Sequence, residues 1–321
     1  MASLGPGRNA LVLHAHHVLF DGWSSSIFLR DVARALRGEL TGRAPQYLEH
    51  AQAHAAYLAS DRARADIEHW RKHFAGAQGP TRIAADHAAP AAGSGPHDYG
   101  SMLELSFGTQ LSTRLKEAAA RERVTVFALM MSAYAMLIHR LTEGAGDLII
   151  GTTAAGRPTV ESEETVGVFV SPFPLRLAVH PGQSVRRLLW RTHDTLAGFH
   201  EHGELPLAEL IGQVEPFTGL GPNDAFHCYL LYQNYWRPSE WDIEFRRMSL
   251  QGQGHHRLMR EFEIVLEDGP EGLMGELWYL PSRFSAGTAA AWAQLYRALL
   301  TNIATDQALD LAVSDFIAAH G

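Results

Sequence analysis

The residue types best suited to chemistry gather in one short stretch, His14-Ala15-His16-His17-Val18-Leu19-Phe20-Asp21-Gly22-Trp23-Ser24. Imidazole is the side chain that titrates nearest neutrality, and a carboxylate beside a glycine can hold backbone or arginine donors in a tight turn. Leu11, Val12 and Leu13 precede them. Read as a strand with period two, Leu11, Leu13, Ala15 and His17 share one face, so an apolar stripe ends in the imidazole of His17 at the mouth of a cleft. The same residues also fit a strand-end histidine pair kept only for hydrogen bonding.

The elements that must position these groups follow in order. Ser24-Ser25-Ser26 supplies a helix cap, Ile27, Phe28, Val32, Ala35 and Leu36 recur at helical spacing, and Gly38 is placed to end the helix. Residues 47–74 read as one or two helices, with Ile67, Trp70 and Phe74 as an apolar stripe. Between 76 and 100 the chain carries Gly76, Gly79, Pro80, Pro90, Gly93, Gly95 and Pro96, the composition of a linker. The expected division is therefore 1–75, a linker over 76–100, and 101–321. The last part should open with a strand near 102–105 and a helix over 110–122. A strongly apolar helix over 126–141 follows, whose Phe127, Met130, Met131, Tyr134, Leu137, Ile138 and Leu141 require packing against a sheet. Strands are expected over 147–157 and 166–177, the second at an edge or bulge because Pro172 and Pro174 interrupt it. A helix over 184–200 with Arg186, Arg187 and Arg191 on its cationic side comes next. Strands near 226–234, 261–266 and 273–279 and a helix over 286–304 close the chain.

Composition bounds the function classes. Of 321 residues 46% are hydrophobic and 19% charged, an ordinary globular balance. The 27 Lys and Arg against 35 Asp and Glu give a net charge of −8, which argues against a nucleic-acid partner. No apolar run is long enough to span a membrane, and Met1 to Arg8 lacks the apolar core of a secretory signal, so a cytoplasmic protein is expected. Cys228 is the single cysteine, which excludes an internal disulfide and a thiolate metal cluster; its apolar surroundings suit a buried small side chain. Strand alternation turns His14 and His16 away from His17, and no glutamate sits at a zincin spacing, so no metal site is expected. His200, His202, His255 and His256 read as surface or loop residues.

The pattern His16-His17-x-x-x-Asp21-Gly22, followed by Trp23-Ser24, resembles the active-site motif of the condensation domains of nonribosomal peptide synthetases. Gly151-Thr152-x-x-Ala155-Gly156-Arg157 and Val166-Gly167-x-Phe169-Val170-x-x-x-Pro174-Leu175-Arg176 are similar to two further segments of that family, at its separation. Glu204 to Leu210 and the strand ending in Gln233-Asn234 extend the likeness, which runs from about Leu11 to about Leu311.

The resemblance implies an α/β fold of two chloramphenicol-acetyltransferase-like sandwich lobes. It also implies an enzyme that forms an amide (peptide) bond between a carrier-protein-bound acyl thioester and an aminoacyl acceptor. Both substrates ride on phosphopantetheine arms, with no dissociable cofactor and no metal. Under it, His17 is the general base or hydrogen-bonding positioner of the amine, and the Gly22 N–H faces the oxyanion unless that glycine serves only the turn. Asp21 is structural, with Arg157 as its partner, and His16 bonds the scaffold. Trp23 is read as core or tunnel lining; Ser24, Ser171, Gln233 and Asn234 are candidate tunnel lining, the last two equally placed to bond strand edges.

Two departures stand against the family pattern. Only ten residues precede Leu11, where the family has about a hundred more in a compact lobe. The first lobe is thus expected to be truncated, with 1–75 its remnant and a separate chain as a candidate supplier of the rest. Ser171-Pro172-Phe173 also replaces the family's common Asn-Thr-Leu. An ester-forming or epimerization relative shares the histidine motif, and a non-catalytic module that docks a carrier protein or tailoring enzyme is the alternative from another class.

Overall fold

The structure is a computed structural model that describes residues 2–5, 8–87, 99–234, 258, 260–269, 271–305 and 308–320. In chain order the elements are β1 (Ala2–Gly5), β2 (Arg8–Ala10), a 3-10 turn (His17–Leu19), α1 (Gly22–Leu36), α2 (Tyr47–Leu58), α3 (Asp61–Phe74), β3 (Ser101–Phe107), α4 (Gly108–Glu122), α5 (Val126–Leu141) and β4 (Asp147–Ala154). Then come α6 (Val160–Glu163), β5 (Ser171–Ala178), α7 (Val185–His202), α8 (Leu207–Gln213), β6 (Cys228–Gln233), β7 (Phe262–Gly269), β8 (Gly272–Tyr279), α9 (Ala286–Ile303) and α10 (Val313–His320).

These elements form two compact units, and the division is not a single cut in the sequence. The smaller gathers the chain through Tyr57 and the excursion Ala155–Val170 between β4 and β5; the larger holds Leu58–Ala154 and most of the chain from Ser171 onward. Within the smaller unit β1 and β2 pair antiparallel. The strand expected from Leu11 to His17 is not formed: residues 11–16 have no regular structure, and the 3-10 turn begins at His17. A strand needs a neighbour to take its backbone groups, and none of the described strands pairs with this stretch. The expected strand over 166–177 likewise begins only at Ser171, because 166–170 belongs to the smaller unit. Helix α1 starts nearer the N-terminus than its serines suggested, with Asp21 as its cap, and Gly38 follows its end at φ +71°.

The larger unit is built on one mixed sheet in the order β3-β8-β7-β6-β4-β5. β5 is an edge strand, and Pro172 and Pro174 have the same parity, so both missing N–H groups fall on the side away from β4. β6 runs parallel to β7 and β4, the β4 ladder consisting of the single pair Gly151↔Tyr229. Side chains complete that seam: Thr152 Oγ1 donates to Leu230 O at 2.9 Å and the Tyr229 hydroxyl to Thr152 O at 2.6 Å. A Cβ on Gly151 would lie 2.3 Å from Tyr229 Cδ2, so only glycine fits there. Helix α5, capped by Thr125, is buried from Ala128 to His139 and meets α7 and α9 as well as β4 and β6, which is why its apolar face is so broad.

Helix α3 carries the expected stripe, with Trp70 and Phe74 buried, and its indole N–H donates to His202 O at 3.0 Å. His202 itself is a correction: it ends α7, its Nδ1 lies 2.7 Å from the buried Asp66 carboxylate, and its ring stacks on His69 at 3.8 Å. His255 and His256 lie outside the described residues. Cys228 is buried in β6 and burial pushes its thiol pKa up. No single helix among the described residues is long and apolar enough to cross a membrane. Nor is there, among them, a cluster of three or more histidine, cysteine or acidic groups of metal-binding form.

Candidate active site

The motif residues sit in the smaller unit and divide into a buried clamp and an exposed turn. At the centre of the clamp is Asp21, 1% exposed. Its Oδ1 accepts from Ser24 N at 2.8 Å, the Ser24 hydroxyl at 2.8 Å and Arg157 at 2.9 Å; its Oδ2 accepts from Phe169 N at 3.1 Å and Arg157 at 3.0 Å. One carboxylate thus caps α1 and fastens two distant segments to the helix start. The guanidinium is as buried as its partner. It also donates to Ser162 O and, at 2.7 Å, to Thr165 O, and it lies 3.9 Å above the Phe169 ring. Burial lowers the Arg157 pKa, and the negative charge of Asp21 works against that shift.

Backbone conformation around the clamp is set by glycine. Gly156 has φ +64°, and a Cβ there would meet Phe169 O at 2.0 Å. Gly167 leaves no room for a Cβ against the Tyr47 ring at 2.1 Å, and the Tyr47 hydroxyl donates to Val168 O at 2.7 Å. The Gly156-Arg157 and Gly167-x-Phe169 segments are therefore two sides of one joint.

Ser24 is buried, and its hydroxyl is shared between Asp21, Gly167 O at 2.8 Å and Gly167 N at 3.0 Å. That use within the joint corrects its reading as tunnel lining. Trp23 is not a core residue: it is half-buried, with its indole N–H on Glu163 O at 3.0 Å.

His16 and His17 precede the clamp and are both exposed. His16 caps the 3-10 turn, its Nδ1 accepting from Val18 N at 3.1 Å, so its role is local to the backbone. His17 opens the turn, and among the described residues its imidazole has no hydrogen-bond partner. Gly22 is the first residue of α1, where backbone N–H groups have no partner within the helix. Ser171, Gln233 and Asn234 belong to the larger unit, at the start of β5, the end of β6 and just beyond it. The roles of Ser24, Gly167 and Phe169 escaped sequence reading. The Asp21-x-x-Ser24 capping spacing was the available signal, while the Gly167 and Phe169 backbone groups carry none.

A family profile described as Condensation domain matches residues 2–317. The chain is 24% identical over 303 residues to a linear gramicidin synthase of Brevibacillus parabrevis, covering 92% of this chain and 6% of that protein. Among solved structures it is similar to the first condensation domain of the calcium-dependent antibiotic synthetase in complex with a substrate analogue, with TM-score 0.70, 22% identity, and 94% of this chain and 65% of that chain covered. It is also similar to the X-domain from teicoplanin biosynthesis, with TM-score 0.74, 25% identity, and 94% and 70% covered. That X-domain has also been solved in complex with OxyB. A full-length profile match, a clamp built from the three motif segments and the shared fold define the class: this chain belongs to the condensation-domain family. It spans a small fraction of the gramicidin synthase and just under two thirds of the calcium-dependent antibiotic synthetase structure.

Proposed function

We propose that this chain is a condensation-type acyltransferase of nonribosomal peptide biosynthesis, acting in the cytoplasm on substrates carried by the phosphopantetheine arms of carrier proteins, without a dissociable cofactor of its own. The acceptor amine attacks the thioester carbonyl, the C–N bond forms, the C–S bond breaks, and the amine proton leaves with the departing thiol. His17 takes that proton or holds the amine lone pair toward the carbonyl. The Gly22 N–H, at an open helix start, stabilises the oxyanion. Asp21 and Arg157 are positioning residues that hold the beginning of α1. The observation that carries the reading is the contrast within one motif: Asp21 is fully committed to a buried joint, while His17, four residues before it, keeps its imidazole exposed and unbonded among the described residues. A purely architectural histidine pair would be bonded as His16 is.

The test is turnover by the full-length protein containing residues 1–321, with a loaded donor and a loaded acceptor carrier. His17→Ala should lower product formation about 10²–10⁴-fold, the usual contribution of a positioned acid–base group, with an unchanged melting temperature. Unchanged turnover would refute the role of His17.

The likeness to an X-domain that forms a complex with OxyB supports a second reading, a docking module for a carrier protein or tailoring enzyme. In that case the wild-type protein makes no amide or ester product, yet retains a carrier or enzyme partner in a binding assay that His17→Ala leaves intact.

A further inference from the structure

Tyr47 opens α2, a helix of the smaller unit with no buried residue among its twelve. Burial of apolar surface therefore does not account for where its side chain lies, and the residue is 39% exposed. The ring is nevertheless held. It fills the notch left by the missing side chain of Gly167 and meets the Phe169 ring edge-on, with centroids 5.2 Å apart and planes at 84°. One helical turn on, the His50 ring lies 4.4 Å from the same Phe169 ring.

The hydroxyl makes the informative contact. It donates to Val168 O at 2.7 Å, and that carbonyl belongs to the same planar peptide group as the Phe169 N–H, which donates to Asp21 Oδ2 at 3.1 Å. The carbonyl and N–H of a trans peptide point in opposite directions, so Tyr47 and Asp21 grip one rigid group from its two ends. Turning that group to suit one bond changes the other. Through Oδ1 the Asp21 carboxylate also accepts from Ser24 N at 2.8 Å, the capping bond of α1. A continuous chain of hydrogen bonds thus runs from Tyr47 through the Val168–Phe169 peptide and Asp21 to Ser24, and polar groups linked in this way strengthen one another. It ends in the first turn of α1, which Gly22 opens.

We infer that Tyr47 is a positioning residue for the acyl transfer: acting through the Val168–Phe169 peptide and Asp21, it fixes the direction of the N–H groups in the first turn of α1, Gly22 among them, without touching either substrate. The inference rests on the acyltransferase reading above, in which the Gly22 N–H stabilises the oxyanion. A donor of that kind depends on its aim, because a hydrogen bond weakens steeply as its angle departs from linear.

Tyr47→Phe keeps the ring against Gly167 and removes only the bond to Val168 O. In the full-length protein containing residues 1–321, with loaded donor and acceptor carriers, it should lower kcat about 3–10-fold, the factor that one hydrogen bond is worth, and leave KM for both carriers and the melting temperature unchanged. A merely architectural tyrosine would move the melting temperature and leave kcat alone. Hydrogen–deuterium exchange gives a readout independent of turnover: the Phe169 and Ser24 amides should exchange about 3–10-fold faster in Tyr47→Phe, with those of α5 unchanged. Full kcat in the variant, a raised KM at unchanged kcat, or wild-type exchange at Phe169 would overturn the inference. If the wild-type protein makes no product, the acyltransferase reading fails and the catalytic role of Tyr47 with it, while the exchange result separately decides whether Tyr47 holds the start of α1.

Discussion

Asp21 shows how much one side chain can join. Its two oxygens accept five hydrogen bonds from Ser24, Arg157 and Phe169, and both members of the ion pair are buried. Removing one charge from such a pair leaves the other stranded, so Asp21→Asn should destabilise the protein by about 3–5 kcal/mol, measured by urea unfolding. The companion variant Arg157→Met and the double variant complete the cycle. A coupling of about 0.5–3 kcal/mol is expected for groups in one hydrogen-bond network, and additivity would show that the contacts are not energetically linked. Two separable effects are therefore expected within the motif: clamp variants should lose stability, whereas His17→Ala should lose turnover alone.

Among the elements, β4 is a strand whose continuation enters the smaller unit. It belongs to the sheet through Ala154, and the next residues carry Gly156 and Arg157 into the clamp. Its link to β6 rests on Gly151 pressed against the Tyr229 and Phe226 rings. Gly151→Ala has no space for its methyl and should cost about 1–3 kcal/mol by overpacking, read as a lower urea midpoint with an unchanged slope. A Cβ tolerated without loss would mean that the rings can move aside. The sequence predicted α5, with bounds that agree with the observed ones, because a sixteen-residue, strongly apolar run is too long for a strand and reads as a buried helix. Residues 11–16 behaved oppositely. Alternation there was clear, but alternation specifies a strand only where a partner strand is present.

For the molecule as a whole, the same stretch leaves apolar side chains in solvent: Leu11 is 53% exposed, Val12 78%, Val18 68% and Leu19 69%. Neighbouring exposed side chains of this kind bind apolar partners. The 1–321 chain should therefore enhance the fluorescence of a hydrophobic dye, and the combined change Leu11→Ser, Val12→Ser, Leu19→Ser should reduce that signal severalfold with the melting temperature unchanged. An equal signal from the triple variant would place the dye elsewhere. The sequence by itself determined the α/β class, most helices and sheet strands, the prolines' edge strand and the family, because periodicity, turn residues and spaced motifs are local properties. It also offered Arg157 as the candidate partner of Asp21, from the family resemblance and from the need of a turn carboxylate for a cationic donor. Only the tertiary structure decided that Ser24 is consumed inside that joint, that Trp23 is not core and that His202 meets a buried Asp66. Each of these depends on what a segment more than a hundred residues away, or a neighbouring helix, brings to within 3 Å or fails to bring.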